Sequence, residues 1–276
     1  MIPRAHITSW RAVAPWSTDA QVEQDLILSR ALIEVFSNAE LASRLAFRGG
    51  TALHKLFLSP ASRYSEDIDL VQLKSEPIGT TLTALHQTLD PWLGEPRRKQ
   101  SEGRATLVYR FDSEIAPITP LRLKVEINTR EHFSVFGYLP KKFMVKNAWF
   151  DGETKITTYS VEELLSTKLR ALYQRKQGRD LFDLAVAFER IHDLNADKVV
   201  TAFLQYMEHD GTAITRAQFE ANLSEKLHDS VFTEDISPLL VSGEQPAPAL
   251  QPEETGRTVM QKLIALLPGD PWKGSK

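Results

Sequence analysis

Apolar positions recur along the chain with two periods, and the switch between them marks where strands give way to helices. Val22, Leu26, Ile27, Ile33 and Phe36 form the stripe of a helix running to about 37, with Asp19 as its N-cap. A shorter helical piece covers 38–44. The apolar stretch Leu45-Ala46-Phe47 then leads into Gly49-Gly50 and a helix over 51–58. Alternation over 63–71 predicts a strand that turns Ile68 and Leu70 to the core and puts Asp67 and Asp69 on the opposite face. Pro77-Ile78-Gly79 punctuates the chain before a helix over 79–91, and strands follow over 103–111 and 121–129. In the second of these, Leu121, Leu123, Val125 and Ile127 face inward, while Arg122, Lys124, Glu126 and Asn128 face outward. The first 18 residues read as an irregular arm holding Trp10 and Trp16, and 132–158 reads as loops and short strands.

Beyond 158 the period is helical. Ser160 and Glu163 form a capping box for a helix to about 176, with Leu164, Leu165, Leu169 and Leu172 on its apolar side. Gly178 breaks that run, and a helix from Arg179 to about 190 follows. Further helices are expected near 196–208, near 215–228 (Thr215 and Gln218 forming a second capping box) and over 253–266. The stretch 242–252 reads as a flexible connection, and no internal repeat is evident.

This pattern divides the 276 residues into a mixed lobe over 1–150 and a mainly helical lobe over 151–276. The fold class is α/β in the α+β sense. Without cysteine, disulfides and thiolate metal sites are excluded, and a reducing cytoplasm fits. The opening residues lack the apolar run of a signal peptide, and no stretch approaches the roughly 18 apolar residues of a membrane span. The net charge of −3 is unevenly placed: 1–150 carries 19 Lys/Arg against 16 Asp/Glu, and 151–276 carries 14 against 20. Within 97–146 there are 11 basic and 5 acidic residues, which suits either a surface for a polyanion or an ordinary solvated face. Lys141, Lys142 and Lys146 are interleaved there and just beyond with Tyr138, Phe143, Trp149 and Phe150, a mixture that can hold an RNA backbone or simply pack.

Candidate chemistry centres on 47–71. Glycines before a helix let its unpaired N–H groups approach an anion. Two aspartates two apart in a strand lie roughly 6.6 Å apart at Cα, close enough to converge on a divalent cation. A P-loop is absent, as is the paired kinase signature. The seven histidines are scattered, with only His54 near this stretch, which disfavours a hydrolytic metal site.

GGTALHK followed by SEDIDL resembles the nucleotidyltransferase superfamily that includes DNA polymerase beta, and more narrowly its AbiEii/AbiGii toxin branch. Four signatures of that branch occur in order: GG-x4-K at Gly49, Gly50 and Lys55; D-x-D at Asp67 and Asp69; K-x6-R at Lys168 and Arg175; and R-D-x2-D at Arg179, Asp180 and Asp183. The resemblance implies a polymerase-beta-like catalytic lobe with a small mixed sheet, and a helical lobe closing over the nucleotide. It implies a Mg²⁺-dependent transfer from an NTP, with two ions held by Asp67, Asp69 and a third carboxylate, Glu126. Gly49, Gly50 and Thr51 would meet the phosphates, with Ser65 adding a hydroxyl contact or capping a turn. Lys168 would contact the triphosphate, and Asp180 or Asp183 would orient Lys168, Arg175 or the base. Lys55 and Arg63 would anchor the loop or neutralise the acidic cluster. The implied acceptor is RNA, the 3′ end of tRNA foremost, so that translation is blocked, with an antitoxin encoded alongside. A protein hydroxyl or small-molecule acceptor, and a non-catalytic binding protein that keeps the fold, are the alternatives.

Overall fold

A computed structural model describes residues 2–240 and 251–274. It contains two compact units, Met1–Tyr159 and Ser160–Lys276.

The first unit is built on one seven-stranded mixed sheet. Helices α1 (Arg4–Trp10), α2 (Asp19–Ser37) and α3 (Ala39–Arg44) precede strand β1 (Leu45–Arg48), which runs directly into α4 (Gly49–Leu56). Strand β2 (Asp67–Gln72), helix α5 (Gly79–Leu93) and strands β3 (Arg97–Ser101), β4 (Arg104–Asp112), β5 (Pro120–Asn128), β6 (Tyr138–Asn147) and β7 (Phe150–Tyr159) follow. The strand order is β3-β4-β5-β2-β1-β7-β6. Most neighbours are antiparallel, but β2 pairs parallel with β5, and β1 with β7. One face of the sheet is apolar. Leu107 and Tyr109 on β4, Leu123 and Val125 on β5, and Leu70 on β2 are all buried, as are Leu26, Leu28 and Leu32 of α2. Each such side chain contributes about 1.5–3 kcal/mol when fully removed from water.

Four features differ from the sequence expectation. The N-terminal arm is not irregular: α1 forms, and both tryptophans are buried. Their indole N–H groups donate to the two oxygens of buried Asp25, Trp10 at 2.8 Å and Trp16 at 3.1 Å. The N-cap of α2 is Thr18, not Asp19, in a reciprocal capping box with Gln21. Residues 132–158 do not form loops and short strands but mostly the long hairpin β6–β7, which adds two strands beside β1. With β1 to β5 it completes the mixed sheet of the first unit. Strand β3, all five residues exposed, also went unread, because an edge strand of RRKQS carries no apolar alternation.

The second unit is helical: α6 (Val161–Gln174), α7 (Gly178–Arg190), α8 (Ala196–His209), α9 (Arg216–Leu227), α10 (Ser230–Glu234), a 3-10 turn Ser237–Leu239, then α11 (Pro252–Lys262) and a second 3-10 turn Ile264–Leu266. Ser160 caps α6 by accepting from the Glu163 N–H, while the buried Glu163 carboxylate accepts from the Tyr206 hydroxyl at 2.8 Å. Thr215 and Gln218 form the expected box at α9. Gly178 is the first residue of α7 rather than a break. A Cβ there would stand 2.0 Å from the Phe232 carbonyl oxygen, so only glycine lets α10 pack this closely. The N-terminal N–H of Arg179 is satisfied from 56 residues away, by Asp235 at 3.1 Å. Most of 242–252 lies outside the described residues. No helix among the described residues is long and apolar enough to cross a membrane.

Candidate active site

The β1–α4 junction fixes one side of the first cluster. Arg48, in extended conformation, pairs with Asp69 across the antiparallel β1–β2 ladder, and Gly49 then turns into α4 with φ of +81°. A Cβ on Gly49 would stand 2.3 Å from Asp69 Oδ2, so the helix opens directly against that carboxylate. The close approach and the left-handed backbone each require glycine here. Asp67 and Asp69 alternate with buried Ile68 and Leu70, as the period of two requires.

Parallel register with β5 brings in further groups, setting Asp67 beside Lys124 and Asp69 beside Glu126. The Lys124 ammonium bridges the cluster, 2.9 Å from Asp67 Oδ2 and 3.3 Å from Glu126 Oε2. Arg104 approaches the other Glu126 oxygen at 3.2 Å. Burial, then the like charges of Asp67 and Glu126, push the Asp69 carboxyl above the usual carboxylate range, against the pull of Lys124 and Arg48. The Lys124 ammonium moves upward: burial opposes the shift, and Asp67, Glu126 and Asp69 outweigh it. An acidic nest that keeps a cation of its own and still raises one carboxyl fits a divalent ion. Among the described residues, though, no group of three or more metal-binding side chains converges.

Other expected residues take positions around this centre. The Thr51 hydroxyl is buried and donates to the Asp67 carbonyl at 2.6 Å, with the Ser65 hydroxyl 2.7 Å away. These two side chains therefore hold the chain where it enters β2. Lys55 lies on the far side of α4, its ammonium 2.7 Å from each Asp25 oxygen and 3.1 Å from Ser29. Arg63 is buried and donates to the Tyr64 carbonyl at 3.0 Å. Beside the hairpin, Lys141 lies over the Phe57 ring and Lys142 pairs with Glu153. Trp149 packs on Trp92, Phe150 and Arg30, and Tyr138 on Tyr159.

The second unit gathers four of its five signature positions into one network. Lys168 is buried, with its ammonium 3.0 Å from Asp180 Oδ1 and 2.9 Å from Asp183 Oδ2. Both aspartates are fully buried. Arg175, half exposed just past the end of α6, grips Asp180 with two bonds of 2.7 and 2.9 Å. Burial would raise the Asp180 carboxyl, but Lys168 and Arg175 outweigh it and hold the group below the usual range. Arg179 stands apart, its guanidinium on Gln177.

Sequence reasoning missed Lys124 as a site residue and Asp25 as the anchor of Lys55. Lys124 was legible as an outward residue of its strand, but its meeting with Asp67 depends on the parallel register. The Asp25 hub draws on Trp10, Trp16 and Lys55, partners from 9 to 30 positions away that no local pattern joins.

Solved structures with a similar fold include MenT4, a nucleotidyltransferase toxin from Mycobacterium tuberculosis H37Rv. It matches with a TM-score of 0.63 at 16% identity, covering 95% of this chain and 91% of that one. JHP933 from Helicobacter pylori matches with a TM-score of 0.56, also at 16% identity, covering 90% of this chain and 94% of that one. At such identity the likeness shows the fold alone, a mixed α/β unit and a helical unit in one chain. The family follows from the sequence: the model described as nucleotidyl transferase AbiEii toxin, Type IV TA system, matches residues 30–263, and the chain belongs to that family. A comparison with curated proteins gave no match.

Proposed function

We propose that this protein transfers nucleotides from an NTP to the 3′ end of an RNA acceptor, tRNA foremost, and so blocks translation until an antitoxin encoded alongside counters it. The observation that carries this reading is the contact of Gly49 with Asp69, which sets a helix N-terminus against a pair of carboxylates. Backbone N–H groups at Gly49, Gly50 and Thr51 bind phosphate oxygens there. Asp67 and Asp69, with Glu126 opposite, would hold Mg²⁺, which when bound neutralises the triphosphate and lowers the pKa of the attacking hydroxyl. The acceptor 3′ hydroxyl loses its proton to solvent as its oxygen bonds to the α-phosphorus, the bond from that phosphorus to the α,β-bridging oxygen breaks, and pyrophosphate leaves with that electron pair. Lys124 gives up Asp67 and stays as a cation beside the acids. Within the helical unit, Asp180 and Asp183 set the orientation of Lys168, and Asp180 that of half-exposed Arg175.

Purified protein incubated with Mg²⁺, total tRNA and each labelled NTP in turn tests this reading, with Asp69→Asn alongside. Extension of the RNA by one to a few nucleotides with a single NTP, abolished in the variant, is expected. Pyrophosphate release without labelled RNA would move the acceptor to a protein hydroxyl or small molecule. Neither signal, with protein that binds no nucleotide, would overturn the enzymatic reading.

A further inference from the structure

The open face of the sheet continues outward from the acidic pair, and its polar residues follow rows fixed by strand register. One row runs Asp67, Lys124, Val108, Arg97, and the next runs Asp69, Glu126, Thr106, Lys99. A third begins at Arg122, which pairs directly with Arg110. Directly opposed like charges destabilise an antiparallel pair, and Arg122 has only a loose partner, Glu66 at 3.5 Å. Arg97, Lys99 and Arg110 are exposed and have no ion pair among the described residues. A cavity of about 640 Å³ opens at the same end of the sheet, lined by Arg110, Arg122, Gln24, Glu66, Phe111 and Asp112, among others.

We propose that this face of β3, β4 and β5 is the track on which the acceptor RNA's phosphodiester backbone lies, leading its 3′ end to Asp67 and Asp69. The inference rests on the RNA-acceptor reading above. Three strand spacings, roughly 14 Å, separate β2 from β3, a length that a few nucleotides cover. The cations nearest the acids are neutralised by them, Lys124 by Asp67 and Glu126, and Arg104 by Glu126. Those farther out are left for an external anion. Arg98 provides an internal contrast: it is adjacent in sequence and equally exposed, but alternation turns it to the other face, where it meets Gln100.

The test compares Lys99→Gln, Arg110→Gln and Arg98→Gln with the parent chain. Binding of labelled total tRNA and of a labelled single-stranded RNA is measured by anisotropy across a salt series, and binding of each NTP is measured separately. Lys99→Gln and Arg110→Gln should each weaken RNA binding about fivefold at 0.1 M salt and flatten the log–log salt slope by about 0.7. Arg98→Gln should leave both unchanged, and NTP affinity should be unchanged in all three. In steady state the first two variants should raise KM for RNA and spare kcat. If Lys99→Gln and Arg98→Gln weaken RNA binding equally, the effect is one of net charge and the track is wrong. Unchanged RNA binding in Lys99→Gln and Arg110→Gln, with reduced solubility, would make these charges edge protection only. Loss of NTP affinity in Arg110→Gln would assign the cavity to the triphosphate. A parent chain that extends RNA normally alongside unaffected variants overturns the track alone, whereas a parent chain that neither binds nor extends RNA removes the acceptor reading with it.

Discussion

Asp69 is where binding chemistry and stability pull against each other. It lies against Gly49, with Asp67 and Glu126 as acidic neighbours, and its carboxyl is raised above the usual range. A carboxyl with a folded pKa above its unfolded value of about 3.9 holds its proton more tightly in the folded chain. Without divalent ions, stability therefore falls as pH climbs from about 4 through the raised value, and levels off above it. Asp69→Asn removes that loss while keeping the shape beside Gly49. The variant should melt a few degrees higher than the parent at pH 8 without metal, and the gap should close toward pH 4. Thermal melts at the two pH values read this directly, and Mg²⁺ should stabilise the parent but not the variant.

At the scale of elements, the ion network joining α6 to the start of α7 has no slack. Lys168 is a cation shared by two fully buried carboxylates, and Arg175 grips one of them, Asp180, with two bonds. Lys168→Met would leave Asp183 buried without that ammonium, a loss of about 3–5 kcal/mol for a broken buried pair. Urea unfolding should show that drop, so the activity of any Lys168 variant has to be read at a temperature where the protein remains folded. This network also shows what a sequence can and cannot disclose. The helices and the spacing of Lys168, Arg175, Asp180 and Asp183 were legible from period and capping. That Arg175 and Lys168 meet on the same carboxylate was not, because Arg175 lies beyond the end of α6 and reaches Asp180 from there. The β2 face was legible because Ile68 and Leu70 announce it. By contrast, β3 has no buried side, and the inward face of the β6–β7 hairpin is mostly only half-buried and includes Lys141, Gly152 and Thr154, so neither carries the apolar alternation that marks a strand. α1 depends on a hydrogen-bonded hub around Asp25 that only the folded chain assembles.

For the whole molecule, total charge is a poor guide to what it attracts. A chain of net −3 and pI near 6.2 should be retained by an anion exchanger at neutral pH. It should nevertheless bind RNA, because the excess of 11 basic over 5 acidic residues in 97–146 falls largely on β3, β4 and β5. The expected signature is affinity that declines steadily with salt although protein and ligand are both net anions, read from titrations between 50 and 200 mM salt.

Lys124 alters what it means for the acidic nest to receive an ion. Its ammonium sits between Asp67 and Glu126 as a counterion bound to the chain by its own side chain. On the proposed reading, uptake of a divalent ion would therefore be a displacement rather than a filling, with the ion competing against a tethered rival that never diffuses away. The folded chain would then rest with Lys124 balancing its acids, and an ion and a nucleotide together would have to displace a lysine before any transfer began.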